Sequence, residues 1–289
     1  MVKATHPTSE KIAVVFDFDD TLVPDTFDGL VEYLGLNAAD FRAQKYESRK
    51  AAGWDAIPAR FYSLIEYSIS QTQADKRITQ DTLAQFGQSL QPFGGVVEMF
   101  DQLRQAVAAI APQVEVEYYL ITSGFVEIAR NTSIAHNFKA MWGCEFSYSD
   151  SGEIEFLKRA LSHPEKPRYL YYLSKGIDKQ DGEDLLFVYE DVPQEDLAIP
   201  LPQVVYVGDG TSDIPCFAML NHEGGTAIGV YPEGSPDEWA KHYRPSRSQR
   251  VNNLAPACYT QNSELMQSLT LAVESICKRI CLQRLSISE

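Results

Sequence analysis

Positive charge is what this chain has little of. Its 289 residues carry 25 Lys and Arg against 40 Asp and Glu, a formal net charge of −15. That excess repels a nucleic-acid backbone and an anionic membrane surface, so neither is expected as a partner. An anionic small molecule would have to be met by a local positive site. Cysteine is scarce too: there are 5, odd in number and without metal-ligand spacing. They read as reduced thiols, and Cys277 and Cys281, sharing one face of an expected helix, read as small buried hydrophobes. No apolar run approaches a membrane span, and Met1 to Pro7 holds no apolar signal core, so the expectation is a cytoplasmic protein. Repeats and low-complexity tracts are absent. The hydrophobic fraction of 44% supplies ample core, and 289 residues suit one α/β core with an insertion.

What is present is one dense stretch, Val14-Val15-Phe16-Asp17-Phe18-Asp19-Asp20-Thr21-Leu22. It begins as a short apolar run, the signature of a buried parallel strand. It ends in carboxylates. Alternation puts Asp17 and Asp19 on one side, at or just past the strand's C-terminal end, where open parallel sheets bind ligands. Like charges so close require a cation or a shared proton, and hard oxygen donors suit Mg²⁺. A plainer role for Asp19, Asp20 and Thr21 is to cap a helix. A second stretch repeats the design: Val204-Val205-Tyr206-Val207-Gly208-Asp209-Gly210-Thr211-Ser212-Asp213 is an apolar strand, a Gly-flanked carboxylate, and another carboxylate four residues on.

Asp17-x-Asp19-x-Thr21 with a distant Gly208-Asp209-Gly210-x-x-Asp213 resembles the haloacid dehalogenase-like (HAD) phosphohydrolases. Tyr118-Tyr119-Leu120-Ile121-Thr122-Ser123-Gly124-Phe125 fits that family's strand ending in Ser or Thr. Lys166-Pro167, at an expected helix start, fits its lone lysine, with Lys158 and Lys175 as competitors. The motifs stand in family order across residues 12–213. The Thr-Ser-Gly-Phe sequence and a long insert after the first motif are most similar to the phosphoserine-phosphatase-like branch. Asp20 stands where the family often carries Gly and is read as a cap residue.

The resemblance implies a fold, an activity and a set of roles. The fold is α/β, a Rossmann-like parallel sheet with helices on both faces and an inserted helical cap of C1 type. The core comprises residues 1–28 and 92–289, and the cap 29–91. The activity is Mg²⁺-dependent hydrolysis of a small phosphomonoester through an aspartyl-phosphate. Asp17 is the nucleophile and Asp19 the general acid and base. Thr122, Ser123 and Gly124 hold phosphate oxygens, and Lys166 neutralises nucleophile and phosphate. Asp17, Asp19 (through its backbone carbonyl), Asp209 and Asp213 form the metal site, Asp213 holding a ligand water or the lysine. A carbon–halogen hydrolase of the same fold needs neither Asp19 nor metal. A phosphomutase shares the core motifs, and a non-catalytic binding or regulatory protein would be expected to have lost a carboxylate.

The remaining pattern is organisational. Thr21 to Asp28, with Pro24 and Asp25, reads as a turn, and apolar residues from Leu30 to Leu90 recur at helical spacing. Arg42, Lys45, Arg49, Lys50 and Arg60 lie there; each is either a grip for a substrate anion or part of a solvated helix face, and Trp54 reads as packing. Pro92-Phe93-Gly94-Gly95 reads as a hinge into an amphipathic helix. Cys144 to Tyr148 and Ile154 to Leu157, flanking Asp150-Ser151-Gly152, read as a hairpin. Ala227 to Tyr231 reads as a fifth core strand. Residues 1–10 read as a tail, 180–200 as an acidic loop, 232–262 as surface coil and 263–285 as a closing helix.

Overall fold

The computed structural model describes residues 9–73, 76–177, 188, 190–210, 212–232 and 251–287. The apolar run before Asp17 forms β1 (Lys11–Phe16), in which Ile12 through Phe16 are fully buried. A strand without an exposed face needs neighbours at both edges and helices over both sides. β1 accordingly pairs in parallel with β2 (Glu115–Phe125) and with β5 (Val204–Gly208). Beyond β2 lies β3 (Phe138–Tyr148), parallel to it; beyond β5 lie β6 (Thr226–Tyr231) and β7 (Asn253–Pro256), again parallel. β3 turns back antiparallel into β4 (Ile154–Arg159), which gives a 7-stranded sheet in the order β4-β3-β2-β1-β5-β6-β7.

Alternation along the strands sends side chains to both layers. Phe16 meets Phe100 of α6 (Val96–Ile110) and Tyr259 at ring separations of 6.4 and 6.3 Å. Val15 pairs with Tyr206, which points the other way and meets Phe217 of the helix Ile214–Glu223 at 5.8 Å. The C-terminal helix Glu264–Ile287 packs beside α6, while α8 (Lys166–Ser174) packs beside the helix Ile214–Glu223. The sheet is thus covered on both faces, as a Rossmann-like α/β fold requires.

Between β1 and β2 the chain is helical. α1 (Thr26–Tyr33), α2 (Ala38–Phe41), a π-helical segment Arg42–Glu47, α3 (Ser48–Ala51), α4 (Ala56–Ser70) and α5 (Gln80–Ser89) follow one another. Three of them, α1, α2 and α5, have side-chain capped starts. Asp25 accepts from the Asp28 N–H at 2.9 Å, Asn37 from the Asp40 N–H at 2.9 Å, and Thr79 and Thr82 form a reciprocal box. Phe27, Phe41, Tyr46 and Tyr67 give the insertion an aromatic core, with ring separations of 5.7 to 6.0 Å. Residues 92–95 return the chain to the sheet. Gly95 has φ 85°, and a Cβ there would lie 2.3 Å from the Tyr259 carbonyl, so both backbone conformation and close approach demand glycine.

Several expectations change here. Asp20 is not a helix cap: Asp25 is, and Asp20 sits in the turn at φ 53°. A left-handed conformation explains why glycine suits that position. The boundary between 28 and 29 falls inside α1, which starts at Thr26. The coil expected over 232–262 contains β7, whose Ala255 is fully buried. Two or three apolar residues between polar ones carry no readable period, and neighbours in the sheet decide their fate. The hairpin forms as expected, but its first arm reaches back to Phe138 as the third parallel strand. Residues 180–187 and 189 of the acidic segment, residues 1–8 and residues 233–250 lie outside the described residues.

Asp20 carries a testable consequence. Burial, followed by the charges of Asp25 and Asp19, pushes its carboxyl up to about 7. Asp20→Asn tolerates the left-handed region and removes a crowded charge. A rise of about 1 kcal/mol, roughly 2–4 °C in Tm for a chain of this size, is expected in thermal unfolding at neutral pH. A lower Tm would contradict the crowding.

Candidate active site

The carboxylates gather where β1 and β5 end side by side. Strand order runs one way from β1 through β2 and β3 and the other way through β5 and β6. The crevice outside the C-terminal ends at such a reversal is the ligand position of open α/β sheets. Asp17 follows β1, and its N–H donates to the Val207 carbonyl at 2.9 Å, tying it to the neighbouring strand. Asp209 follows β5 directly, and Asp213 starts the helix Ile214–Glu223. Carboxylate oxygens of Asp17, Asp209 and Asp213 lie within 4.8 Å of one another.

Lys166 answers the competition among lysines. It opens α8, is fully buried, and its Nζ lies 2.9 Å from Asp17 Oδ2 and 2.7 Å from Asp213 Oδ1. It also donates to Ser212 Oγ at 3.1 Å, and that hydroxyl stands 3.4 Å from Asp17 Oδ2. Lys158 is exposed on β4, and Lys175 donates to the carbonyls of Val188 and Glu190. Burial opposes the ammonium, but Asp17 and Asp213 outweigh it and hold Lys166 charged above its ordinary range.

One buried cation does not balance the cluster. Burial and the Asp213 charge push Asp17 up to about 7 against the pull of Lys166. Burial, Asp17 and Asp213 push Asp209 well above the carboxylate range. The donors are all hard oxygens, with neither thiolate nor imidazole in the group. Such a set, short of positive charge, fits a divalent cation like Mg²⁺.

Asp19 stands apart from this group. Its Oδ1 accepts from the Thr26 N–H at 2.7 Å and the Thr26 hydroxyl at 2.6 Å, which ties it to the first turn of α1. Its Oδ2 faces Gly124, where a Cβ would lie 2.2 Å from it and 3.1 Å from Thr122 Oγ1. Gly124 is therefore needed for close approach, and its position brings the β2 end to Asp19. Burial and the Asp25 charge raise the Asp19 carboxyl, while Arg60 and the Thr26 bonds draw it down.

Thr122 is fully buried, and its Oγ1 accepts from the Gly124 N–H at 2.8 Å, which leaves the hydroxyl hydrogen available to donate. The Gly124 N–H, expected to meet phosphate, is engaged by Thr122 here. Ser123 is buried and its Oγ has no hydrogen-bond partner among the described residues, a polar atom paid for in desolvation and awaiting one.

Of the basic residues in the helical insertion, Arg42 pairs with Asp25 and Asp28, Lys45 and Arg49 with Glu66, and Lys50 with Glu47. Each of these four cations is thus paired with a carboxylate of the insertion or of the turn before it. Arg60 differs. It lies on α4 with Nε buried and without a hydrogen-bond partner among the described residues, and its charge draws down the Asp19 carboxyl. Trp54 lies beside Tyr62 at 5.1 Å with the rings tilted by 42° and the Arg49 guanidinium near both. Tyr206, Ser212 and Thr26 were not among the expected site residues. A tyrosine in a fully buried strand needs a partner for its hydroxyl, and that need was the readable signal for Tyr206; Thr26 gave none.

No family model matches the chain. It is 23% identical to an uncharacterized protein of Borreliella burgdorferi, over 92% of this chain and 96% of that one. A crystal structure of a HAD-family hydrolase from Salmonella enterica serovar Typhi superposes with TM-score 0.59 at 12% identity, over 92% of this chain and 72% of that one. A phosphoserine phosphatase solved with substrate bound gives TM-score 0.55 at 15% identity, covering 90% and 98%. A probable phosphoserine phosphatase from Vibrio cholerae gives 0.55 at 13%, covering 96% and 69%. The chain has the fold of the haloacid dehalogenase-like hydrolases, and phosphoserine phosphatases are among the proteins that share it. Among the described residues no helix is long and apolar enough to cross a membrane.

Proposed function

We propose that the protein is a Mg²⁺-dependent phosphatase acting on a small phosphomonoester through an aspartyl-phosphate. The observation that carries this reading is the buried Lys166, held 2.9 Å from Asp17 at the C-terminal end of β1 with Asp209 and Asp213 beside it. A purely structural role would not place a lysine and several carboxylates in a crevice at the end of an otherwise apolar sheet.

Asp17 attacks phosphorus, and its new P–O bond forms as the ester P–O bond breaks. The departing oxygen takes a proton from Asp19, which stands on the Thr122 side of the site. Asp19 then removes a proton from water, whose oxygen attacks phosphorus, frees inorganic phosphate and restores Asp17. The Thr122 hydroxyl and Ser123 hold phosphate oxygens, with Gly124 leaving room for Asp19. Lys166 lies where it offsets the charge of both nucleophile and phosphate. Asp17, Asp209 and Asp213, with the Asp19 backbone carbonyl, would hold Mg²⁺, which supplies further neutralisation of the phosphoryl oxygens.

Residues 29–91, with the preceding turn of α1, act as the cap. Phe61 of α4 packs against Phe125 and Phe146 at 4.8 and 4.4 Å, so the insertion is seated on the end of β2 and on the hairpin. That seat excludes water, and Arg60 meets an anionic group of the substrate. A small metabolite fits a site covered in this way. The branch resemblance makes phosphoserine one candidate.

The test is phosphate release from p-nitrophenyl phosphate and from a panel of small phosphomonoesters, with Mg²⁺ and with chelator. Release that requires the metal is expected, ranked by the substrate's anionic groups. Undiminished release in chelator would sink the metal-dependent reading. Phosphoryl retention on an isomerised product would make the enzyme a mutase.

A further inference from the structure

Asp213 is held from several directions. Its Oδ2 accepts from the Gly210 N–H at 3.2 Å, and its Oδ1 accepts both from Lys166 Nζ at 2.7 Å and from the Tyr206 hydroxyl at 2.7 Å. Gly208 lets the side chain lie flat on β5: a Cβ there would fall 2.4 Å from Asp213 Cγ. Tyr206 is itself fully buried, in a strand whose other side chains are valines. A phenol there costs desolvation of its hydroxyl unless the bond it makes is needed.

We propose that Tyr206 is a positioning residue that fixes Asp213 on Lys166 and so sets where the ammonium stands between Asp213 and Asp17. This rests on the phosphatase reading of the site. The hydroxyl donates to the same oxygen that binds the lysine. By sharing that oxygen, it keeps Asp213 from drawing Nζ wholly to itself and leaves Lys166 within reach of the nucleophile. It also weakens Asp213 as a donor toward the neighbouring cation position, since an oxygen already accepting two hydrogen bonds has less charge to offer. The Tyr206 hydroxyl donates to Asp213 and not to Asp17. Its action runs through Asp213.

The experiment compares Tyr206→Phe with Tyr118→Phe. Tyr118 is equally buried and donates to the Phe100 carbonyl at 2.6 Å, away from the site, so it controls for the loss of a core hydroxyl. Two measurements are made on each full-length protein: steady-state turnover of p-nitrophenyl phosphate at saturating Mg²⁺, and calorimetric binding of Mg²⁺ alone. For Tyr206→Phe, kcat should fall about fivefold or more with KM within about twofold, and Mg²⁺ should bind about threefold tighter. Tyr118→Phe should change neither. Equal effects in both variants, or Mg²⁺ affinity in Tyr206→Phe unchanged or weakened, would overturn the positioning role. If the wild-type protein turns over no phosphoester while the Mg²⁺ difference between the variants stands, the phosphatase reading fails and the positioning of Asp213 survives.

Discussion

Asp17→Asn should abolish turnover and at the same time make the metal-free protein more stable. Loss of a nucleophile that forms a covalent intermediate lowers kcat by roughly 10⁴-fold or more, because the residual site still binds but has no atom to accept the phosphoryl group. The stability change follows from crowding. Asp17 is 5% exposed, shares a 4.8 Å neighbourhood with Asp209 and Asp213, and has one lysine to share with them. Neutralising it removes a buried like-charge contact while Lys166 keeps Asp213 at 2.7 Å. In chelator, Tm should rise by a few degrees, about 1 kcal/mol. The added stability that Mg²⁺ confers on the wild type should shrink, since one of its donors is weakened. Turnover within a hundredfold of wild type would remove Asp17 from the nucleophile's place. A fall in Tm in chelator would mean that the carboxylate is compensated by something other than Lys166.

Lys166→Met is expected to have the opposite effect on stability. Methionine fills the volume of the lysine stem in a fully buried position, so packing is nearly conserved. What is lost is the only ammonium within ion-pair distance of Asp17 and Asp213 among the described residues. Leaving buried charges unpaired costs about 3–5 kcal/mol, which lowers Tm by roughly 10 °C in chelator at neutral pH. Mg²⁺ should restore part of that loss by supplying positive charge to the same oxygens. Turnover should drop about 10²- to 10³-fold, the usual scale for losing one electrostatic stabiliser of the transition state. Lys158→Met, on the exposed face of β4, is the control and should change neither Tm nor turnover. If Lys166→Met melted within about 2 °C of wild type and kept most of its activity, the lysine would be a packing residue, and the competition with other cations would reopen.

Much of this site was legible because its chemistry is concentrated in short stretches. Carboxylates at the ends of apolar runs violate the rule that buried strands are apolar, and that violation marks Asp17, Asp19, Asp209 and Asp213 without any knowledge of the fold. Thr122 and Gly124 were readable in the same way, as polar and small residues closing an apolar strand. Lys166 was one of several cations of similar standing, because nothing local distinguishes a lysine beside a carboxylate from one in solvent. Arg42, Lys45, Arg49, Lys50 and Arg60 of the insertion were likewise indistinguishable until their partners were seen. Then Asp25, Asp28, Glu47 and Glu66 accounted for Arg42, Lys45, Arg49 and Lys50, and Arg60 was left with a buried Nε that has no hydrogen-bond partner among the described residues.

The sequence by itself determined the sheet's central strands, the helical insertion between β1 and β2, the hairpin and the residue types of the site. Each of these rests on local period or on a polar residue in an apolar run, which neighbouring positions in the chain suffice to specify. Tertiary structure alone decided which lysine enters the crevice, that Asp20 takes a left-handed turn while Asp25 caps α1, that residues 253–256 close the sheet as β7, and that Tyr206 shares the oxygen of Asp213 that binds Lys166. These depend on distances between segments far apart in the chain, such as Lys166 to Asp17 and Tyr259 to Gly95. Contacts of that kind are set by how helices pack on the sheet, and the pattern of any one segment does not encode them.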